Sequence, residues 1–189
     1  DYPNPYTTPG ARLVFVGAMD YWANVDAVTW FATRVFPAVR AGRSDAEFVI
    51  VGARPTPDVT RLARQAGVVV TGAVHDVRPY LAHADLAVAP LRIARGVQNK
   101  VLEAMAMGCP VVATPQALDG LRECQQMNWR VADQATELSR LCLDVLNEDD
   151  RDALGARGRA CVLSQYSWSE HMERLIGLLD GQGASNESA

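Results

Sequence analysis

Pro90-Leu91-Arg92-Ile93-Ala94-Arg95-Gly96-Val97-Gln98-Asn99-Lys100-Val101-Leu102-Glu103-Ala104-Met105-Ala106-Met107-Gly108 is the stretch on which the reading of this chain turns. It reads as the end of a buried strand, a basic loop, a glycine and a helix that starts with Gln98, Asn99, Lys100 and Glu103. Gly108 stands where a helix-ending glycine belongs, and Pro110 bars any continuation. A glycine at a helix start lets a ligand approach the backbone, and the first free N–H groups and the positive end of the dipole suit an anion. Arg92, Arg95 and Lys100 add charge at the same place, which suggests a diphosphate site.

The bulk composition makes that cluster informative. Across 189 residues the formal net charge is −4, with 49% hydrophobic and 21% charged residues. This is the balance of one soluble globular domain, and it argues against a general nucleic-acid or membrane-surface binder. No apolar run approaches the ~20 residues of a membrane span. Cys109, Cys124, Cys142 and Cys161 are too scattered for a metal or redox motif. They read as buried free thiols in a reducing, cytoplasmic compartment.

Outward from the opening stretch, short apolar runs alternate with helical patterns. Runs at 12–16, 47–51, 68–72, 85–90 and 110–114 read as strands buried on both faces, with a short sixth around Trp129-Arg130-Val131. Between them, Val25, Val28, Phe31, Val35 and Val39 recur at helical spacing, with Asn24 as the expected N-cap and Pro37 as an expected kink. Trp22, Trp30 and Phe31 read as packing. Residues 58–66 and 78–84 give short helices, and 133–147, 150–164 and 167–180 longer ones, the last opened by the capping box Ser167-Trp168-Ser169-Glu170. Residues 1–11, with three prolines and a glycine, read as a linker, 12–180 as one domain, and 181–189 as a disordered tail.

The implied fold is an α/β, Rossmann-like parallel sheet of about six strands, with helices on both faces and a helical C-terminus. In such sheets ligands bind beyond the carboxyl ends of the strands, and here the glycines and polar residues gather in the loops at those ends. The common nucleotide signatures are absent: Gly17 stands alone before Ala18-Met19-Asp20-Tyr21, and no Walker sequence occurs. A dinucleotide dehydrogenase or P-loop enzyme is thereby disfavoured, and no nucleophile elbow stands out.

A set of ordered motifs spans residues 12–180: Gly17-Ala18-Met19-Asp20-Tyr21-Trp22-Ala23-Asn24, Val51-Gly52, Thr71-Gly72-Ala73-Val74-His75-Asp76-Val77-Arg78-Pro79, Asp85-Leu86-Ala87-Val88-Ala89-Pro90-Leu91, Lys100-Val101-Leu102-Glu103-Ala104-Met105-Ala106-Met107-Gly108 and Asp119-Gly120-Leu121. Together they resemble the C-terminal, donor-binding domain of family 4 retaining glycosyltransferases, one half of a GT-B fold. The Met-Asp-Tyr-Trp and Gln-Asn-Lys versions are most similar to sugar transferases of exopolysaccharide and protein-sorting loci.

The resemblance implies a nucleotide-diphosphate sugar as substrate, no separate cofactor or metal, and an acceptor domain outside this stretch. Any membrane contact would then belong to the rest of the enzyme. It implies that Glu103 holds the ribose hydroxyls, a task that suits a two-oxygen acceptor. Gly96, Val97 and Lys100 meet the diphosphate, flanked by Gln98 and Asn99, while Val74 and His75 lie near the base with Pro90 and Leu91 close by. Gly17 and Asn24 belong to the first loop, where the family's usual basic residues are missing. Arg95 occupies the place of a sugar-contacting glutamate, and Arg92 and Arg95 together are read as compensating charge. No catalytic nucleophile is assigned. Blander readings stay open: Lys100 and Glu103 as a surface i,i+3 pair, Arg92 and Arg95 as a solvated loop, His75 as an ordinary loop histidine. So do other functions: a flavodoxin-like binding or regulatory module without catalysis, and a GT-B sugar-nucleotide epimerase.

Overall fold

A computed structural model describes residues 2–121, 130–166 and 176. Its strands are β1 (Arg12–Val16), β2 (Glu47–Val51), β3 (Val68–Gly72), β4 (Leu86–Ala89), β5 (Val111–Ala113) and β6 (Arg130–Val131). They form one parallel sheet in the order β3-β2-β1-β4-β5-β6. Nearly every residue of the four inner strands is buried, which is why these strands read as continuous apolar runs rather than alternating ones. The order reverses between β1 and β4, paired in register at Leu13↔Leu86 and Val14↔Ala87. Beyond their carboxyl ends lies the crevice that a doubly wound sheet offers to a ligand.

The helices are α1 (Trp22–Trp30), α2 (Phe36–Gly42), α3 (Pro57–Leu62), α4 (Arg78–Ala82), α5 (Asn99–Ala106), α6 (Pro115–Leu118), α7 (Ala135–Asn147) and α8 (Arg151–Gln165), with a π-helical turn at Phe31–Val35 between α1 and α2. The segments from α1 to α2 pack with α3 and α7, and α5 packs with α8. On the first face Phe31, Phe36 and Phe48 form an aromatic cluster whose nearest pair, Phe31 and Phe48, has ring centroids 4.7 Å apart.

Several expectations need correction. The first helix begins at Trp22 with Tyr21 as N-cap, so Asn24 lies inside it, buried, and is not a cap. The irregularity expected at Pro37 falls just before it, as the π-helical turn Phe31–Val35, and Pro37 itself occupies the first turn of α2, where its missing N–H is tolerated. Trp22 is 56% exposed, because the helix start places it at the rim of the sheet rather than over the core. The short helices end early, at Leu62 and Ala82, and α6 was not anticipated.

Cys109 and Cys142 are buried free thiols, with burial raising both pKa values and Cys109 pushed up to about 12, whereas Cys161 is disulfide-bonded. The expected helix 167–180, its capping box, Trp129 and the tail lie outside the described residues.

The proline-rich lead-in carries no regular element, yet it is docked. Tyr6 donates its hydroxyl to the Tyr80 carbonyl at 2.8 Å, and the buried Arg12 guanidinium sits 5.2 Å from the Tyr6 ring and 3.4 Å from Glu47. Burial raises the Tyr6 hydroxyl pKa, partly offset by the nearby Arg12 charge.

The opening stretch ends as its sequence demands. Gly108 adopts φ +72°, its N–H donates to Met105 O at 2.9 Å, and Cys109 N–H donates to Ala104 O at 3.0 Å. This pair of bonds is a Schellman motif.

Candidate functional site at the switch point

The two loops flanking the reversal differ in how their backbone is used. After β1, Gly17 N–H donates to Val51 O at 3.0 Å and Met19 N–H to Ala53 O at 2.8 Å. Met19 is fully buried, and Asn24 Nδ2 donates to Ala18 O at 3.0 Å from beneath. A Cβ on Gly52 would stand 1.7 Å from Gly17 O, so the backbones of the two loops touch. Asp20 is paired with Arg54 of the next loop, which lowers the Asp20 pKa through their hydrogen bond.

After β4 the chain is open. Pro90 and Leu91 are buried, but Arg95, Gly96 and Val97 are exposed. The N–H groups of Gly96, Val97 and Gln98 meet no acceptor among the described residues. Gly96 takes φ +68°, and Gln98, in extended conformation, is the N-cap of α5. The helix therefore starts three residues after Gly96, not at it, because a left-handed residue cannot sit in a right-handed turn. Gly96 consequently lies outside the helix that carries Lys100 and Glu103.

Lys100, in the first turn of α5, is partly buried. Its Nζ lies 5.4 Å from the Phe15 ring centroid, and the side chain lines a narrow space with Val14, Val16, Val88 and Ala89 at the ends of β1 and β4. Desolvation lowers its pKa, partly offset by Glu103. Glu103 is exposed, one turn along; its pKa is raised by desolvation from the neighbouring protein and pulled back by Lys100. A cation held in an apolar wall beside unpaired N–H groups is arranged to receive negative charge.

The structure separates Arg92 from this group. Arg92 donates through Nε to Asp26 Oδ2 at 3.0 Å, its Nη2 bonds the other carboxylate oxygen, and it lies 5.7 Å from the Trp30 ring centroid. The hydrogen bond to Asp26 raises its pKa. It lines a groove of about 890 Å³ shared with Trp22, Asp26, Trp30, Asp58 and Arg61, to which Gly96, Lys100 and Glu103 do not contribute.

His75 is exposed on the loop after β3, and Val74 is half-buried there. Asn24 Oδ1 is buried without a partner among the described residues. Sequence reasoning gave no role to Thr114, whose hydroxyl donates to Leu91 O at 2.5 Å. Its one available signal was a polar residue closing an apolar strand. Among the described residues no group of three or more His, Cys, Asp or Glu could hold a metal, and no helix is long and apolar enough to cross a membrane.

This sheet order, with an open backbone loop at the reversal, defines a Rossmann-like α/β domain of the kind that forms half of a GT-B enzyme. The chain belongs to the glycosyl transferases group 1 family, whose model matches residues 10–148. It is 31% identical over 164 residues to the GDP-mannose-dependent monoacylated alpha-(1-6)-phosphatidylinositol monomannoside mannosyltransferase of Corynebacterium glutamicum, covering 79% of this chain and 42% of that protein. The GDP-mannose-dependent alpha-(1-6)-phosphatidylinositol monomannoside mannosyltransferase of Mycobacterium tuberculosis is also 31% identical, over 173 residues, with coverage of 79% and 43%. The chain thus spans less than half the length of these relatives.

Solved structures with the same fold include a Staphylococcus aureus TarM variant in complex with fondaparinux, alpha-GlcNAc-glycerol and UDP (TM-score 0.73, 17% identity, 94% of this chain and 38% of that one). Another is Anabaena HepE in complex with UDP and glucose (TM-score 0.70, 15% identity, coverage 90% and 48%).

Proposed function

We propose that the chain is the donor-binding half of a retaining, family 4 glycosyltransferase that takes a nucleotide-diphosphate sugar and, with an N-terminal domain, transfers the sugar to a glycan or lipid-linked acceptor, in exopolysaccharide synthesis. The observation that carries this reading is that the N–H groups of Gly96, Val97 and Gln98 have no acceptor among the described residues, on an exposed loop at the sheet reversal with Lys100 behind it. Glycosyl transfer expels a nucleoside diphosphate. Preoriented N–H groups and a partly desolvated cation stabilise the negative charge that develops on it.

In this reading Gly96, Val97 and Lys100 receive the diphosphate, Glu103 accepts from the ribose hydroxyls, and Val74 and His75 approach the base. Arg95, exposed and beside Gly96, is the cation nearest the sugar. The donor class is a GDP- or UDP-sugar, by extension from the names of the relatives and structural neighbours. No cofactor or metal is needed, and the site faces the cytoplasm, where such donors are made.

The test is a thermal-shift and calorimetric screen with UDP, GDP, ADP and their sugars, on this chain and on the enzyme that contains it. Stabilisation by one nucleotide, lost in Glu103→Ala, is expected. No binding by either protein would overturn the reading. Product stereochemistry, followed by NMR in the complete enzyme, would test retention.

A further inference from the structure

Three contacts support the open loop from behind. Buried Thr114, just past β5, donates its hydroxyl to Leu91 O at 2.5 Å, and Ala89 O lies at 3.3 Å. Gln98 Nε2 turns back to Arg95 O at 3.3 Å and Gly96 O at 3.2 Å. Gly120 lies directly against the peptide that joins Gly96 to Val97. A Cβ on Gly120 would stand 2.5 Å from Gly96 C, 2.5 Å from Val97 N and 2.7 Å from Gly96 O. All three are backbone atoms, so no flexible side chain can swing aside to make room.

The two glycines are required for different reasons. Gly96 has φ +68°, strained for any residue with a Cβ, yet nothing lies within 4 Å of where that Cβ would be. Gly120 is not left-handed; what it needs is space. The turn carrying it cannot retreat easily, because Ala117 and Leu121 on either side are buried in the core and Leu121 N–H is bonded to Leu118 O at 2.8 Å.

We propose that residues 114–121 form a fixed platform under the phosphate loop, and that Gly120 is a positioning residue that sets where the Val97 N–H meets the donor's diphosphate. This rests on the donor reading above. A Cβ at Gly120 must drive the Gly96–Val97 peptide outward by roughly an ångström to reach ordinary contact distance. A displacement of that size takes an N–H···O contact out of hydrogen-bonding range. The ribose and base contacts, on α5 and the loop after β3, do not touch the platform through this peptide. The effect should therefore be selective for the phosphates.

The experiment compares wild type, Gly120→Ala, Thr114→Val and Thr114→Ser. Calorimetry measures affinity for the nucleoside diphosphate that wild type binds best, and ligand-observed NMR measures affinity for the matching nucleoside. Gly120→Ala should weaken the diphosphate about tenfold and the nucleoside less than twofold. Thr114→Val, which removes the latch to Leu91, should show the same selectivity at about threefold, and Thr114→Ser should restore wild-type binding. Undiminished diphosphate affinity in both Gly120→Ala and Thr114→Val overturns the proposal, as does equal loss of both ligands. If Gly120→Ala does not fold, Thr114→Val decides alone. A wild type that binds the nucleoside but no diphosphate more tightly removes the donor reading, and this proposal with it.

Discussion

The loops after β1 and β4 flank the same crevice, yet they spend their backbones in opposite ways. The β1 loop is stitched to the β2 loop by the bonds from Gly17 and Met19, and Gly17 O touches Gly52. In the β4 loop the N–H groups of Gly96, Val97 and Gln98 have no acceptor among the described residues, and the loop is backed by Thr114 and Gly120 and closed on itself by Gln98. Identical position in the topology therefore does not imply identical use. The first loop behaves as a wall, and the second is supplied with donors that an incoming anion could satisfy.

The sharpest test of that contrast is Gly52→Ala. Its Cβ would overlap a carbonyl oxygen with no room to yield, so a loss on the order of 3 kcal/mol is expected in urea unfolding. An unchanged midpoint would mean the two loops are not locked together. Next in size is Asn24→Ala, which frees the Ala18 carbonyl but also removes the unpartnered Oδ1, for a net cost of about 1 kcal/mol. If the β1 loop is a wall, this change should lower stability and leave nucleotide affinity within about twofold.

Lys100→Met should separate the two measures in the reverse sense, sparing stability and costing affinity. Removing a partly desolvated cation should raise the melting temperature by about 2–4 °C for each ~1 kcal/mol regained, while diphosphate affinity falls. The sign follows from linkage. Lys100 has a lowered pKa in the folded chain, so between that value and the ordinary lysine value the unfolded state binds more protons. Its penalty on stability is present below this window and fades as pH rises through it. An anion at the site raises the Lys100 pKa again, so binding within the window should take up a proton, visible as a buffer-dependent heat. Arg92→Ala has the smallest expected effect, below about 1 kcal/mol, since its pair with Asp26 is half exposed. Its effect on diphosphate affinity should be within about twofold, and a larger one would return Arg92 to the site.

How far the chain could be read before folding depended on the range of the interaction. The four inner strands were legible because double-sided burial leaves an unbroken apolar run, the edge strand β3 by its valine run although Val69 is exposed, and the end of α5 because Gly108 and Cys109 close it locally. The cluster at 92–100 was legible as charge, not as geometry: Arg92 belongs to Asp26, a residue 66 positions away. The supposed cap at Asn24 failed because helix initiation two residues earlier placed it inside the first turn, over Gly17. Gly120 was visible in a motif but without a reason, since its reason is the peptide of another loop.

By itself, then, the sequence determined the alternation of strands and helices, the parallel sheet, and the stretch where an anion would be sought. Those follow from apolar periodicity and helix termini, which act over a few residues. Only the tertiary structure decided which N–H groups stay unpaired at the reversal, which arginine is withdrawn, and what holds the opening stretch in place. Such facts depend on backbones meeting across the sheet, and contacts of that kind leave no periodic mark on a single chain.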